Sequence, residues 1–324
     1  MKISLLSLRS FSVVGSLFLL SASNYIHTME NDDTYKKIHT MQIPGAITLA
    51  ANRFGGIAVG AALKAVKLYD SRGTFKSNTS YCGDGGIVID DKYHLYQVSR
   101  RGIFSSSHLR PPHASNLRKE DACVGRPIHS IAITEGNVFF GTDDATVRVW
   151  DSLEEKITHS YTGTRTGQVI ALEVTKKAVA LGCSDGHFAS IDREKDTEIW
   201  SYNHDTHPAD RIPLRALVKS NSLCYAGYRD GEIVIADPDK MIHDRLALTK
   251  NIYALAMLQS GYLAVGHDGG IGLYDIRKNR YPLIELFLEN KNNRVIALQE
   301  TLGGFVSMAE DGTVDVWQEE VEQK

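Results

Sequence analysis

The sequence predicts an all-β fold: a seven-bladed β-propeller of four-stranded antiparallel blades, with the ring closed by an N-terminal strand. Three observations predict it. A unit of strand, polar turn and strand recurs along the 324 residues, its copies lie about 41 residues apart, and fixed columns of the repeat hold Asp and Gly. A period of roughly 40 to 45 residues corresponds to one four-stranded blade.

The clearest copy of the repeat runs from Phe139 to Asp151 and reads as strand, polar turn, strand. Four further copies occupy residues 180–192, 225–237, 263–275 and 306–318, and two weaker copies end at residues 70 and 108. When the copies are aligned on Trp150, most repeats carry an apolar or aromatic residue in that column. Its occupants are Tyr69, Ser107, Trp150, Ile191, Ala236, Tyr274 and Trp317. We expect this column to mark the third strand of each blade.

A polar column lies six residues before the Trp150 column. Five of its seven occupants are Asp, and the next residue is Gly in five repeats. These aspartates are Asp144, Asp185, Asp230, Asp268 and Asp311. Asp-Gly between two apolar runs predicts a tight hairpin, because Gly accepts the positive φ that the turn requires. We expect the aspartates to cap turns and join blades, rather than to perform acid/base chemistry or bind metal.

With these columns the chain resembles the WD-repeat β-propeller family. Trp150-Asp151 carries the signature dipeptide of that family, and Tyr69-Asp70 and Tyr274-Asp275 are close variants. The Gly-His pair that the family places before each innermost strand is missing from every repeat, which removes one member of its hydrogen-bonded tetrad. The resemblance covers roughly residues 34 to 318. It implies that Asp144, Trp150 and Trp317 are structural, and that loops and a shallow central funnel are presented to other proteins.

The first strand of each repeat reads as a near-continuous apolar run, such as Val169 to Leu172. This pattern is typical of strands that are buried on both faces, as blades are between their neighbours. The last repeat ends after its third strand, at Trp317, whereas residues 35–43 read as an unassigned strand. We therefore expect this N-terminal strand to complete the last blade and close the ring.

The domain organisation predicted from composition has four parts. Residues 1–23 are a candidate signal peptide or N-terminal extension, 24–33 a linker, 34–319 the propeller, and 320–324 a tail. The apolar run from Phe11 to Leu20 is too short to span a membrane. A true signal peptide would make the protein secreted or periplasmic. The fold and the four cysteines, which form no evident pairs, instead favour cytoplasm or nucleus.

Composition and motifs argue against several function classes. The net charge of −3 argues against a nucleic-acid binder, and no nucleophile elbow, phosphate loop or His-Glu-x-x-His is present. His204 and His207 could bind a metal together with Asp205 or Asp210, but a solvated loop is favoured. The sequence therefore predicts no enzyme activity, metal or cofactor. The insertions at residues 108–127 and 202–213 are either partner-binding loops or tolerated surface loops.

The leading functional hypothesis is a non-enzymatic scaffold or adaptor: a monomeric propeller within a complex, with no membrane span. Alternatives are a secreted or periplasmic propeller with an enzymatic or ligand site at the central channel, and an exported adaptor. Five arginines are expected to line the funnel mouth and bind an acidic or phosphorylated segment: Arg101, Arg126, Arg165, Arg211 and Arg294. The alternative is that each arginine pairs with a neighbouring Asp and joins two blades.

Overall fold

The structure is a computed structural model that describes much of the chain from residue 35 to residue 320. The described ranges are residues 35–52, 56–61, 65–82, 86–89, 94–98, 104–108, 126–151, 154, 156–162, 167–204, 212–220, 223–237, 241–277, 283–287 and 293–320. Within these ranges all the regular secondary structure is β.

The strands follow one another in hairpins along the described chain. In chain order they are β1 (Tyr35–Gln42), β2 (Ala46–Ala51), β3 (Ile57–Ala61), β4 (Ala65–Tyr69), β5 (Phe75–Cys82), β6 (Gly86–Ile89), β7 (His94–Val98), β8 (Phe104–His108), β9 (Ile128–Thr134), β10 (Asn137–Thr142), β11 (Val147–Asp151), β12 (Lys156–Tyr161), β13 (Val169–Val174), β14 (Ala178–Cys183), β15 (His187–Asp192), β16 (Thr197–Asn203), β17 (Leu214–Ser220), β18 (Leu223–Tyr228), β19 (Glu232–Asp237), β20 (Met241–Ala247), β21 (Ile252–Met257), β22 (Tyr262–His267), β23 (Gly270–Asp275), β24 (Leu283–Phe287), β25 (Val295–Thr301), β26 (Gly304–Ala309) and β27 (Thr313–Glu319).

The strands form a β-propeller of four-stranded antiparallel blades. Six sheets have four strands: β2–β5, β9–β12, β13–β16, β17–β20, β21–β24, and β25–β27 with β1. Strands β6, β7 and β8 form a further, three-stranded sheet. We number these sheets 1 to 7 in chain order, beginning with β2–β5 and ending with the sheet that contains β1.

The N-terminal strand closes the ring as the sequence predicted. β1 pairs antiparallel with β27, from Tyr35 opposite Glu319 to Gln42 opposite Thr313. The first strands of consecutive sheets contact one another in order, and β25 contacts β2. They therefore surround a central channel. Because the ring is closed, every sheet has a neighbouring sheet on both of its faces.

A separate apolar cluster fills each interface between consecutive sheets. Phe139 of sheet 3 packs with Leu181 of sheet 4, and Met308 of sheet 7 packs with Val59 of sheet 1. All six residues of β14 are buried, because sheets 3 and 5 cover both faces of sheet 4. This explains why the inner strands lack the apolar–polar alternation of a half-exposed sheet.

The turns between second and third strands confirm the expected backbone of the Asp-Gly column. Gly186, Gly231, Gly269 and Gly312 have φ between 83° and 97°, and Ala145 occupies the same column at φ 62°. Such values cost little for Gly, whereas a residue with a Cβ is strained there.

One recurrent feature was not predicted, a β-bulge near the start of the first strand. Six of the seven first strands shift register at this point, so that one residue has no partner on the second strand. A bulge bends its strand and changes the direction of the extra side chain. The apolar pattern carries no sign of it, because the inserted residue is usually apolar as well.

Candidate functional site

The candidate site is the end of the ring at which the first strands begin, which we call the mouth face. Here the turns between second and third strands meet the loops that lead into the first strands. The N–H of Asp143 donates to the carbonyl of Pro127 at 3.2 Å, and that of Glu310 donates to the carbonyl of Arg294 at 2.9 Å. The two sets of loops therefore share one face, as expected from the sequence.

The bulged residues lie around the channel at the centre of the mouth face. A first strand is covered on both faces by neighbouring sheets and on one edge by its second strand, so solvent reaches it only along the channel or at its ends. The bulged residues are Ile47, His129, Ile170, Arg215, Tyr253 and Ile296. Arg215 is exposed and the other five are half-buried. The bulged residues thus present a mainly apolar surface, in which Arg215 is the one exposed cation.

The turn aspartates act mainly as caps. Asp185, Asp230 and Asp311 each accept a hydrogen bond from the backbone N–H two residues later, at 3.3, 3.2 and 2.8 Å. Asp268 instead accepts hydrogen bonds from Asn251 and Arg294. This is the structural role that the sequence favoured for the column.

Asp144 binds side chains on both of its oxygens. It accepts a hydrogen bond from the Thr142 hydroxyl at 2.6 Å and one from Arg148 Nη2 at 3.0 Å. Partial burial acts to raise the pKa of Asp144, but the hydrogen bond from Thr142 and the charge of Arg148 outweigh it and hold the pKa below its ordinary value. Asp144 is therefore held as a carboxylate in its turn.

Two of the five predicted arginines are described, and both lie on the mouth face beside carboxylates. Arg126 Nε is 3.6 Å from Asp144 Oδ2. Arg294 Nε is 3.3 Å from Asp268 Oδ1, its Nη1 is 3.5 Å from Glu310, and its guanidinium lies over the Tyr253 ring. Arg101, Arg165 and Arg211 lie outside the described residues. The pair of Arg294 with Asp268 joins sheets 7 and 6, as the alternative expected, whereas Arg126 and Asp144 both belong to sheet 3.

The column anchored on Trp150 is structural wherever its side chains are described. Trp150 and Trp317 are both buried, and Trp317 Nε1 donates to Ser307 Oγ at 2.9 Å while its ring stacks on Phe305. The aspartate that follows this column caps the next turn. Asp192, for example, accepts hydrogen bonds from the N–H groups of residues 194 and 195 at 2.9 and 3.0 Å.

His204 has a role that the sequence did not predict. Its Nε2 lies 2.9 Å from Asp230 Oδ2 and 3.0 Å from Glu232 Oε2, and its ring packs edge-on against Tyr228. A histidine ahead of a first strand thus meets the turn aspartate of the same sheet, although no Gly-His pair precedes this strand. The sequence concealed this contact because nine residues of the insertion separate His204 from β17.

The metal site considered at His204 has no support among the described residues. His207, Asp205 and Asp210 lie outside them. Nowhere in the described part of the chain do three His, Cys, Asp or Glu side chains group in a way that could hold a metal ion. The two described cysteine side chains, Cys183 and Cys224, are buried thiols in the second strands of sheets 4 and 5.

Glu173 is a half-buried acid on a first strand. Glu173 and Lys219 are on β13 and β17, the first strands of neighbouring sheets. Burial raises the pKa of Glu173 to about 7, although the charge and the backbone N–H of Lys219 act in the opposite direction. Near neutral pH the Glu173 carboxyl is therefore present in both its protonated and its ionised form.

Comparisons with known proteins agree with the fold. No family model and no curated protein matches the sequence. Among solved structures, the crystal structure of Raptor from Chaetomium thermophilum is similar over 88% of this chain, with a TM-score of 0.71 and 14% sequence identity. The chain spans 29% of the length of that protein. At this identity the likeness shows a shared β-propeller fold and nothing about activity.

Among the described residues, no helix is long and apolar enough to cross a bilayer.

Proposed function

We propose that this protein is a non-enzymatic interaction scaffold of the WD-repeat type, which binds a segment of a partner protein across its mouth face. The observation that carries the proposal is the mainly apolar ring of bulged residues around the channel. A rigid frame that presents apolar side chains at the mouth of a concavity, inside a polar rim, suits recognition of a peptide.

The proposal includes a complete ring of seven four-stranded blades. Three strands of sheet 2 are described. We propose that sheet 2 has a fourth, outer strand as well, since every other sheet has four strands. The interfaces of sheet 2 with sheets 1 and 3 are already filled by apolar clusters, which supports its place as a blade of the ring.

The test is partner capture with a change confined to the mouth. Partners cross-linked to the wild type are identified by mass spectrometry and compared with those of the double variant Ile170→Ser, Ile296→Ser. Leu302→Ser is the control, because Leu302 is 69% exposed in the turn between β25 and β26, at the opposite end of the ring. We expect the double variant to lose the partners and the control to keep them. Equal recovery from both folded variants would refute a binding role for the mouth face.

A further inference from the structure

We infer that Arg215 and Arg229 of sheet 5 form an anion-binding subsite at the mouth, which holds a carboxylate of an acidic partner segment. The inference rests on the proposed function and makes it specific. Neither residue is among the five arginines predicted from the sequence to line the funnel mouth. Arg215 is the bulged residue of β17, and Arg229 lies in the turn between β18 and β19.

The two arginines occupy the same corner of the mouth face. The N–H of Arg229 donates to the carbonyl of Pro213, two residues before Arg215. Between them, Leu214 and Tyr228 are opposite one another in the pairing of β17 with β18. Both arginines are exposed, whereas Leu214 and Tyr228 are fully buried. The backbone positions of the two arginines are therefore adjacent, and both exposed side chains lie next to the same buried pair, Leu214 and Tyr228.

Among the sheets with a bulge, sheet 5 alone has arginine at both positions. In the bulge column the other residues are Ile47, His129, Ile170, Tyr253 and Ile296. In the turn column the described counterparts of Arg229 are Asp143, Ser184, His267 and Glu310, and Arg100 occupies this column in sheet 2, outside the described residues. The combination of the two arginines therefore distinguishes sheet 5.

The carboxylates nearest to Arg229 in sequence are bound elsewhere. Asp230 accepts the N–H of Glu232 on one oxygen and lies 2.9 Å from His204 Nε2 on the other. Glu232 lies 3.5 Å from Arg245 Nη1 and also accepts a hydrogen bond from the Tyr202 hydroxyl. His204 and Arg245 thus engage both acids. Within the described residues, neither Arg215 nor Arg229 has an ion pair, in contrast to Arg126 and Arg294.

The surroundings define the ligand. A guanidinium binds a carboxylate through paired, charge-assisted hydrogen bonds. Ile170 and Tyr253, the half-buried bulged residues of the two adjacent sheets, add mainly apolar surface to the same side of the mouth face. The segment that fits is an extended acidic peptide that also carries aliphatic side chains. A phosphoserine peptide offers related chemistry, and the experiment separates the two.

The test measures fluorescence anisotropy of a short fluorescein-labelled peptide of Glu, Leu and Ser, titrated with the full chain. The variant is R215Q/R229Q. The matched control is R126Q/R294Q, which removes the same charge from the same face but at arginines that already pair with carboxylates. Because both pairs are exposed, thermal melts are expected to remain close to that of the wild type.

We expect R215Q/R229Q to raise the Kd of the Glu peptide by about tenfold or more, and the control to change it by less than about threefold. The same peptide with Gln in place of Glu should bind as weakly to the wild type as the Glu peptide binds to R215Q/R229Q. If the phosphoserine peptide alone binds, the carboxylate assignment is wrong. Absence of binding to the wild type, or equal weakening by the control, overturns the subsite.

The two experiments together distinguish a failure of the arginine subsite from a failure of the proposed function. If Ile170→Ser, Ile296→Ser loses the cross-linked partners while R215Q/R229Q retains them all, the mouth face is the binding face and the arginine subsite is wrong. If neither variant loses a partner, the proposed function fails with it.

Discussion

Single residues in the tight turns determine how closely the sheets approach each other. Gly186 has φ 83°, and a Cβ built on it would lie 2.6 Å from the carbonyl oxygen of Ile212. A side chain at this position would therefore have an unfavourable φ and would clash with the Ile212 carbonyl. Ala145 occupies the corresponding turn of sheet 3 at φ 62°, so one blade accepts a methyl group where most have glycine.

Gly186→Ala should therefore destabilise the protein by about 1–3 kcal/mol, from the unfavourable φ and the clash with the Ile212 carbonyl. The free energy of unfolding in urea measures this loss. Ala145→Gly is the reciprocal control. It relieves a strained backbone and removes a buried methyl group, so its effect should stay within about 1 kcal/mol. A Gly186→Ala variant as stable as the wild type would contradict this account of the turn.

Glu173 predicts a pH dependence of stability. Its pKa is raised from an ordinary value of 4.5 to about 7 in the folded protein, so the folded state binds the proton more tightly than the unfolded state. Stability should then fall as the pH rises from about 4.5 to about 7, since the carboxylate that forms is poorly solvated. Above this window the loss is complete.

Glu173→Gln should remove that dependence. Near pH 5 the variant and the wild type should have similar free energies of unfolding, whereas at pH 8 the variant should be more stable by about 1–3 kcal/mol. Urea unfolding at the two pH values measures the difference. A gap between the two proteins that does not change with pH would exclude Glu173 as its source.

Among the strands, β1 contributes most directly to closure of the ring. It is the outer strand of sheet 7 although it comes first in the chain, and it contributes Tyr35 and Met41 to the apolar clusters around that sheet. The Thr40 hydroxyl also donates to the buried carboxylate of Asp315 at 2.6 Å. β1 therefore connects the two ends of the propeller chain without a covalent bond.

Deletion of residues 1–44 should lower the melting temperature markedly, because sheet 7 loses its outer strand and exposes apolar side chains. Deletion of residues 1–33, which leaves β1 in place, is the matched control and should melt close to the full chain. Differential scanning calorimetry of both proteins tests the role of β1. An unchanged melt after the longer deletion would show that the ring does not depend on this strand.

At the scale of the whole molecule, ring closure depends on sheet 2 as well. If sheet 2 has a fourth, outer strand like the other sheets, the amides of β8 that face this strand should exchange slowly, as expected for hydrogen-bonded amides within a sheet. Hydrogen exchange followed by mass spectrometry compares β8 with β11, the third strand of sheet 3. We expect similar protection. Exchange of β8 as fast as that of an outer strand, such as β12, would show a three-stranded sheet.

Much of the fold could be predicted from the sequence because its causes are local and repeated. The Asp-Gly turns and the apolar first strands recur at a constant spacing, and each turn needs only its own residues to form. The pairing of β1 with β27 could be inferred as well, since the last repeat lacked a strand and the N-terminus carried a spare one.

The site depended on tertiary structure. The position of a bulge is set by how each first strand fits between its neighbours, so the apolar pattern did not distinguish Arg215 from a residue within a regular strand. His204 reaches Asp230 across an insertion, and within the described residues Asp230 forms no ion pair with Arg229. The sequence by itself determined which residues form turns and strands. Only the packing of the sheets decided which charges meet each other and which face the channel, because those contacts join residues far apart in the chain.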